Sequence, residues 1–497
     1  MGATMMDSIV YGHLWATSEV RALFTDEGRT QSWLTILAAL ASAQARLGII
    51  PPEAALAIED KADVALVDLD EVAAHTRRTG HSTAGLIEVF KNVLGSDAGE
   101  WVYYGATVQD IADTWTGMVM RDVGGIALRD LRRAEDSLLG LAESHRDTVM
   151  VGRTHGQPGL PITFGFKAAV WAAELRRHIN RLTGAAGRLH AGQLAGAVGT
   201  GSFWGADALE LQRDFCARLG LAAPESPWLT ARDRIAEFTG ILAMVTSTFA
   251  KIGNEVYNLS RPEIGEVRES FRDGVVGSIT MPHKRNPEIS EHLGTLARLV
   301  RSAAALALEG MVNEHERDGA AWKTEWAFVP EACMAAAASM SFGAELAGSL
   351  EVDSERMAAN LENQEGYVMS EPVLRALALR LGKHSAHEVV YGAAMAGIEG
   401  RQSWRSALAS DSRVTAELGD GELDELLDPA GALGCARELV DSVVSAGRAA
   451  RAVEERELAR VVERERAPGN ERERAPGNER ERARGIDEAA ASSEAAQ

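Results

Sequence analysis

One stretch of the chain gathers more reactive groups than any other: Gly277-Ser278-Ile279-Thr280-Met281-Pro282-His283-Lys284-Arg285-Asn286-Pro287. Gly274, Gly277, Pro282 and Pro287 bracket it, so it reads as a loop with a flexible entry and stiff exits. Inside are a hydroxyl, two cations and an amide. Such a set can concentrate positive charge on an anionic substrate. By residue type alone it is equally a basic surface loop. Two further polar stretches could supply hydrogen-bond donors and an acid/base group. They are Tyr104-Gly105-Ala106-Thr107-Val108-Gln109-Asp110 and Gly152-Arg153-Thr154-His155-Gly156-Gln157-Pro158. His81, in TGHSTAGL, and Arg317, in EHERDGAAWKTEW, complete the candidates.

Long helices must position these groups. Ile235, Phe238, Leu242, Val245, Phe249, Ile252, Val256 and Leu259 recur alternately three and four apart. That stripe predicts a helix about 37 Å long at 1.5 Å per residue, closed by Pro262. A second stripe runs Ile289, Leu293, Leu296, Val300, Ala303, Ala307, and a third helix is expected over 163–190. Stripes of this length imply an elongated bundle completed by other subunits. The flanking regions read as shorter helices broken by Gly and Pro. The expected class is all-α, with an N-terminal helical domain (1–110), a central long-helix bundle (111–350) and a small C-terminal helical domain (351–460). The unit ERERAPGN occurs at 463–470 and again at 471–478. It has no apolar face, so 461–497 is expected to be a disordered low-complexity tail.

Composition agrees with this outline. Of 497 residues, 46% are hydrophobic but only 5% aromatic, which suits helices packed on small side chains. Lys+Arg is 51 and Asp+Glu is 72, a net charge of −21, which argues against nucleic-acid binding. Three scattered cysteines suggest neither disulfides nor a zinc cluster. No signal peptide or strongly apolar span of ~20 residues stands out. A cytoplasmic protein with no membrane partner is expected, and no metal or organic cofactor is implied.

GSITMPHKRNP resembles the signature of the aspartase/fumarase superfamily of lyases, commonly GSSxMPxKxNP. The two other polar stretches resemble that superfamily's remaining shared regions, in the same order, and the likeness spans about residues 10–455. It implies abstraction of a proton next to a carboxylate and expulsion of a group from the neighbouring carbon, usually releasing fumarate. The doubly charged intermediate needs fixed donors around its carboxylate. By motif position Ser278 would be the base, its alkoxide stabilised by backbone N–H groups and a cation. Lys284 would supply charge and Asn286 a neutral donor. His155 would be the second acid/base group, paired with Glu291. Thr107, Thr154 and Gln157 would hold substrate carboxylates, His81 would be an active-site histidine, and Arg317 a carboxylate clamp. The resemblance further implies a homotetramer whose active sites draw on three subunits.

Departures from the pattern bear on the substrate. Tyr103 stands where the family's HxGATSxD motif has its histidine, Val108 replaces the serine, and Ile279 the second serine of the loop. Trp322 and Trp326 occupy places where adenylosuccinate lyases hold a phosphate, which indole cannot do. The EHERDGAAWKTEW string resembles the 3-carboxy-cis,cis-muconate cycloisomerase branch, and also nitrosuccinate lyase, whose stable nitrite leaving group needs little protonation. Nitrosuccinate is thus the favoured substrate. Cycloisomerisation is the alternative, followed by adenylosuccinate cleavage or an inactive structural relative.

Overall fold

The computed structural model describes residues 4–466 apart from 272, 273, 275, 276 and 282; at 458 and 461–466 it describes the backbone alone. Among these residues the fold is all-α, with nineteen α-helices and two small two-stranded antiparallel sheets. The elements that matter here are α1 (Asp26–Arg46), α2 (Val108–Ser144), β1 (Val149–Thr154), β2 (Gln157–Thr163), α3 (Phe164–Leu189), α4 (Asp233–Leu259), β3 (Val267–Arg268), α5 (Glu288–Glu309), α6 (Gly319–Ser349), β4 (Glu351–Val352) and α7 (Ala436–Arg466).

The three expected helices are α3, α4 and α5, each within two residues of its expected ends. The longest helix, α2 with 37 residues, and α6 with 31 complete the bundle. Helix α4 packs against α5 and α6, and α2 against α3 and α6. All eight residues of the α4 stripe are buried. Small residues set the close approach. A Cβ on Gly343 of α6 would lie 2.2 Å from the Phe249 ring of α4. An alanine there would therefore strain the contact by about 1–3 kcal/mol. Two of these helices, α4 and α6, are long and apolar enough by composition to cross a bilayer, although the sequence offers no strongly apolar span. Their apolar windows are 61% and 72% buried within the protein, so the apolarity serves the bundle core.

A second hydrophobic core surrounds Leu37, Phe90, Ile111, Phe215 and Trp322, drawing on residues well beyond 110. A third joins Met369, Val373, Trp404 and Leu408. The first compact unit ends at Val444 and a second begins at Ser445. The region 351–455 was expected to hold only short helices, yet α7 spans 31 residues and enters the expected tail as far as Arg466. It ends two residues before Pro468, where the chain loses a backbone donor. The rest of the expected tail, 467–497, lies outside the described residues.

Candidate active site

Thr107 and Arg317, distant in sequence, meet in the fold. Thr107 is the N-cap of α2 and forms a reciprocal capping box with Asp110. Arg317 Nη1 donates to Thr107 Oγ1 at 3.0 Å, and its Nη2 donates to the Ala197 carbonyl at 2.9 Å. Arg317 Nε is buried with no hydrogen-bond partner among the described residues. Asp110 closes the ring from below. Its Oδ2 accepts from the backbone N–H groups of Thr107 (2.9 Å) and Gly196 (3.1 Å). Its Oδ1 accepts from the Ala195 N–H (2.9 Å) and Gln193 Nε2 (3.4 Å). Burial raises the Asp110 pKa, and these four donors oppose the rise. One carboxylate thus staples the start of α2 to the 193–197 loop, and the guanidinium spans both.

The clamp rests on a buried ion triad. Arg232 donates to Asp113 of α2 at 2.8 and 3.0 Å and to Glu325 of α6 at 2.8 Å, and its guanidinium lies 4.9 Å from the Trp228 ring centre. Burial pushes both carboxyls up, and Arg232 opposes it. Aromatic rings form the adjoining surface. Gly105, at φ +80°, could not carry a Cβ, which would meet the Phe203 ring at 2.3 Å. Tyr104 packs edge-on against both Trp101 and Phe203, and Trp322 against Trp326.

The 277–287 loop joins β3 to α5 and is held at its base. The Asn286 side-chain N–H donates to the Gly277 carbonyl at 2.9 Å. Ser278 Oγ accepts from the Met281 N–H at 3.1 Å. Lys284 is exposed, its N–H donating to the Met281 carbonyl, and Arg285 lies over the Phe271 ring at 4.5 Å. Glu269, which sequence reasoning missed, clasps the loop's two stems. It accepts from the N–H groups of Ile289 (3.1 Å) and Ser290 (2.7 Å) and from Ser290 Oγ (2.6 Å). These are orphan donors of the α5 N-terminus, where a carboxylate also meets the helix dipole favourably. A glutamate some twenty residues upstream of a helix leaves no local capping signature, so only the fold reveals it.

His155 sits at the tip of the β1–β2 hairpin, the one substantial departure from helix. His155 and Gly156 both have positive φ (53° and 75°), and Thr154 pairs with Gln157 across the turn. That is the pattern of a tight two-residue hairpin turn. Thr154, His155 and Gln157 are exposed in the single chain. The hairpin is anchored by Arg153, which forms a bidentate pair with fully buried Glu266 at 2.8 and 2.7 Å; Asn360 also donates to Glu266 at 2.9 Å. His81 Nδ1 accepts from the N–H groups of Thr83 and Ala84 at 3.3 and 3.2 Å. This caps the helix Ala84–Leu94 and leaves the proton on Nε2.

The single chain therefore presents separate pieces: the Thr107–Arg317 clamp, the Ser278–Lys284–Asn286 loop, and the His155 hairpin. Glu291, on the first turn of α5, is exposed and pairs with no histidine among the described residues. No group of three or more His, Cys, Asp or Glu is arranged to hold a metal among those residues.

The chain resembles known proteins over most of its length. The model of a family described as "Lyase" matches residues 14–301, and one described as "Adenylosuccinate lyase C-terminus" matches 366–443. The chain is 38% identical over 444 residues to N-acetyl-S-(2-succino)cysteine lyase of Dickeya dadantii, covering 89% of this chain and 98% of that protein. It is also 38% identical over 429 residues to 3-carboxy-cis,cis-muconate cycloisomerase of Pseudomonas aeruginosa, covering 86% and 94%. The crystal structure of 3-carboxy-cis,cis-muconate lactonizing enzyme from Pseudomonas putida superposes with a TM-score of 0.83 at 34% identity, covering 89% of this chain and 99% of that one. The chain belongs to the aspartase/fumarase superfamily of lyases, in the branch that holds the carboxymuconate cycloisomerases and adenylosuccinate lyases.

Proposed function

We propose that this lyase releases fumarate from a 2-substituted succinate whose leaving group departs as a stable anion. Ser278 removes the C3 proton, the C3–H pair becomes the double bond, and the C2 substituent leaves with its bonding electrons. The observation that carries this reading is the Ser278 oxygen, which accepts a backbone N–H at 3.1 Å in the same loop as Lys284. A donor and a cation are what an alkoxide base requires. Lys284 and Asn286 hold one carboxylate. Arg317 and Thr107, with Thr154 and Gln157, hold the other. His155, backed by Glu291, and His81 act around the leaving group.

The choice of leaving group follows from what is missing. Tyr103 and Val108 stand where the family's HxGATSxD pattern has a histidine and a serine, so this segment adds no imidazole to protonate a leaving amine. Two leaving groups fit: nitrite, from nitrosuccinate, and a thiolate, as in the substrate named for the Dickeya relative. A cycloisomerase is the second reading, favoured by the Trp322–Trp326 pair and the Pseudomonas relatives.

His81, Thr154, His155, Gln157, Lys284 and Glu291 are exposed in the single chain, Ser278, Asn286, Thr107 and Arg317 are half-buried, and Met244, Leu299, Leu306 and Leu308 on α4 and α5 are exposed apolar side chains. We therefore assign a homotetramer, with each site drawn from three subunits and the monomer inactive. Three free cysteines fit a reducing cytoplasm. The test is incubation with nitrosuccinate, S-succinylated thiols and carboxymuconate, reading fumarate near 240 nm and product mass. Fumarate release that fails in Ser278→Ala supports the reading. Conserved product mass would establish cycloisomerisation, and nitrosuccinate yielding neither fumarate nor nitrite would end that assignment.

A further inference from the structure

We propose that Tyr103 is the specificity residue for the leaving group, donating a hydrogen bond from its neutral phenol to the departing atom. The inference rests on the elimination reading above. Tyr103 holds φ at +64°, a backbone conformation that costs a bulky residue roughly 1–3 kcal/mol and persists only where surroundings dictate it. They do so here. The Tyr103 carbonyl accepts from the Ala106 N–H at 3.3 Å, and fully buried Gln44 donates to the next carbonyl, that of Tyr104, at 2.7 Å. The ring packs on the edge of the second core, half-buried, and its hydroxyl has no hydrogen-bond partner among the described residues. The charged groups that act on it are Asp110, which braces the carboxylate clamp, and Arg317, which forms part of it. A strained, pinned residue, four places before Thr107 in the chain, thus offers an unpartnered O–H within the electrostatic reach of Arg317.

The chemistry follows from the group. Burial, and secondarily Asp110, raise the pKa of this half-buried phenol, so it stays protonated at neutral pH. It can donate to a thiolate sulfur or a nitro oxygen, and it keeps its proton while the leaving group departs with the C2 bonding pair. It cannot supply the full proton an amine needs. An imidazole at the same place could.

The experiment measures kcat, KM and pH dependence of fumarate release for wild type, Tyr103→Phe and Tyr103→His, on whichever succinate the wild type cleaves, plus an N-linked succinate. Tyr103→Phe should lose roughly 10–100-fold in kcat with KM changed by less than about threefold. Tyr103→His should recover part of that loss, acquire a pH limb near the imidazole pKa that wild type lacks, and begin to cleave the N-linked succinate. A phenylalanine variant with wild-type kcat overturns the proposal. So does a histidine variant no better than phenylalanine, or failure of both to fold by thermal melting, since the role would then be packing alone. If wild type releases no fumarate from any substrate, the elimination reading fails first and takes this one with it.

Discussion

Replacing Asp110 with asparagine should weaken both the fold and substrate binding, by amounts the geometry sets. The carboxylate holds four N–H donors, two on each oxygen. An amide keeps one oxygen, so its NH2 must face two of those donors. Each buried N–H left without an acceptor costs about 1–3 kcal/mol, giving about 2–6 kcal/mol in all. Against a typical stability of about 5–15 kcal/mol that is severe. With an unfolding entropy of roughly 2.1 cal/mol/K per residue, a chain of this length shifts by about 1 °C per kcal/mol, so Tm should fall by roughly 2–6 °C. The effect on activity runs through Arg317, whose two anchors, Thr107 and Ala197, lie on the segments Asp110 ties together. Loss of that alignment should raise KM about tenfold or more, with a smaller fall in kcat, because carboxylate holding is weakened while Ser278 is untouched. Differential scanning fluorimetry and steady-state kinetics on the same preparation decide it. An asparagine variant with wild-type Tm and KM would refute the claim that Asp110 organises the clamp.

Two other groups make clear predictions. Arg232→Met should strand Asp113 and Glu325 as buried carboxylates and cost about 3–5 kcal/mol; adding Asp113→Asn and Glu325→Gln should restore much of it, by urea unfolding. His178 is buried, with Nε2 on Thr248 Oγ1 at 2.8 Å and Nδ1 facing Arg181 Nη1 at 3.2 Å, and burial lowers its pKa from 6.5 to about 4. The unfolded chain therefore binds the proton first as pH falls, so this site's contribution to stability is lost between about 6.5 and about 4. Arg177, Lys251 and Glu174 also act on the ring, and Glu174 alone opposes the shift. His178→Gln should flatten the pH dependence of Tm across that window; an unchanged slope would assign it to other groups.

The sequence was most legible where periodicity and motif chemistry coincide. The stripes of α4 and α5 marked those helices because each buries one face against the bundle, and the segment of α3 read as a helix as well. Helices α2 and α6 carried weaker signals. Buried Asp110, Asp113, Asp130 and Glu135 interrupt the apolar stripe of α2. Helix α6 is so rich in alanine that no face stands out, and it contains Pro330. The β1–β2 hairpin was missed because its turn uses His155 at positive φ, where glycine or asparagine would announce a turn. Of the proposed site, the candidate residues come from motif resemblance. What holds them does not: Glu269, Glu266, Asp110's ring and the Arg232 triad each join segments far apart in sequence. Tyr103 was legible as a departure, but its strain and free hydroxyl are properties of the fold.

The central claim is a single elimination site assembled from loops of different subunits. The most direct test mixes two inactive variants, Ser278→Ala and His155→Ala, dissociates them and lets them reassociate. Each alone should release almost no fumarate. If Ser278 and His155 of one site come from different chains, random equal mixing restores both in about a quarter of sites, and activity should rise toward that fraction of wild type. A mixture that stays as inactive as its components would place both residues of a site on one chain and contradict the account.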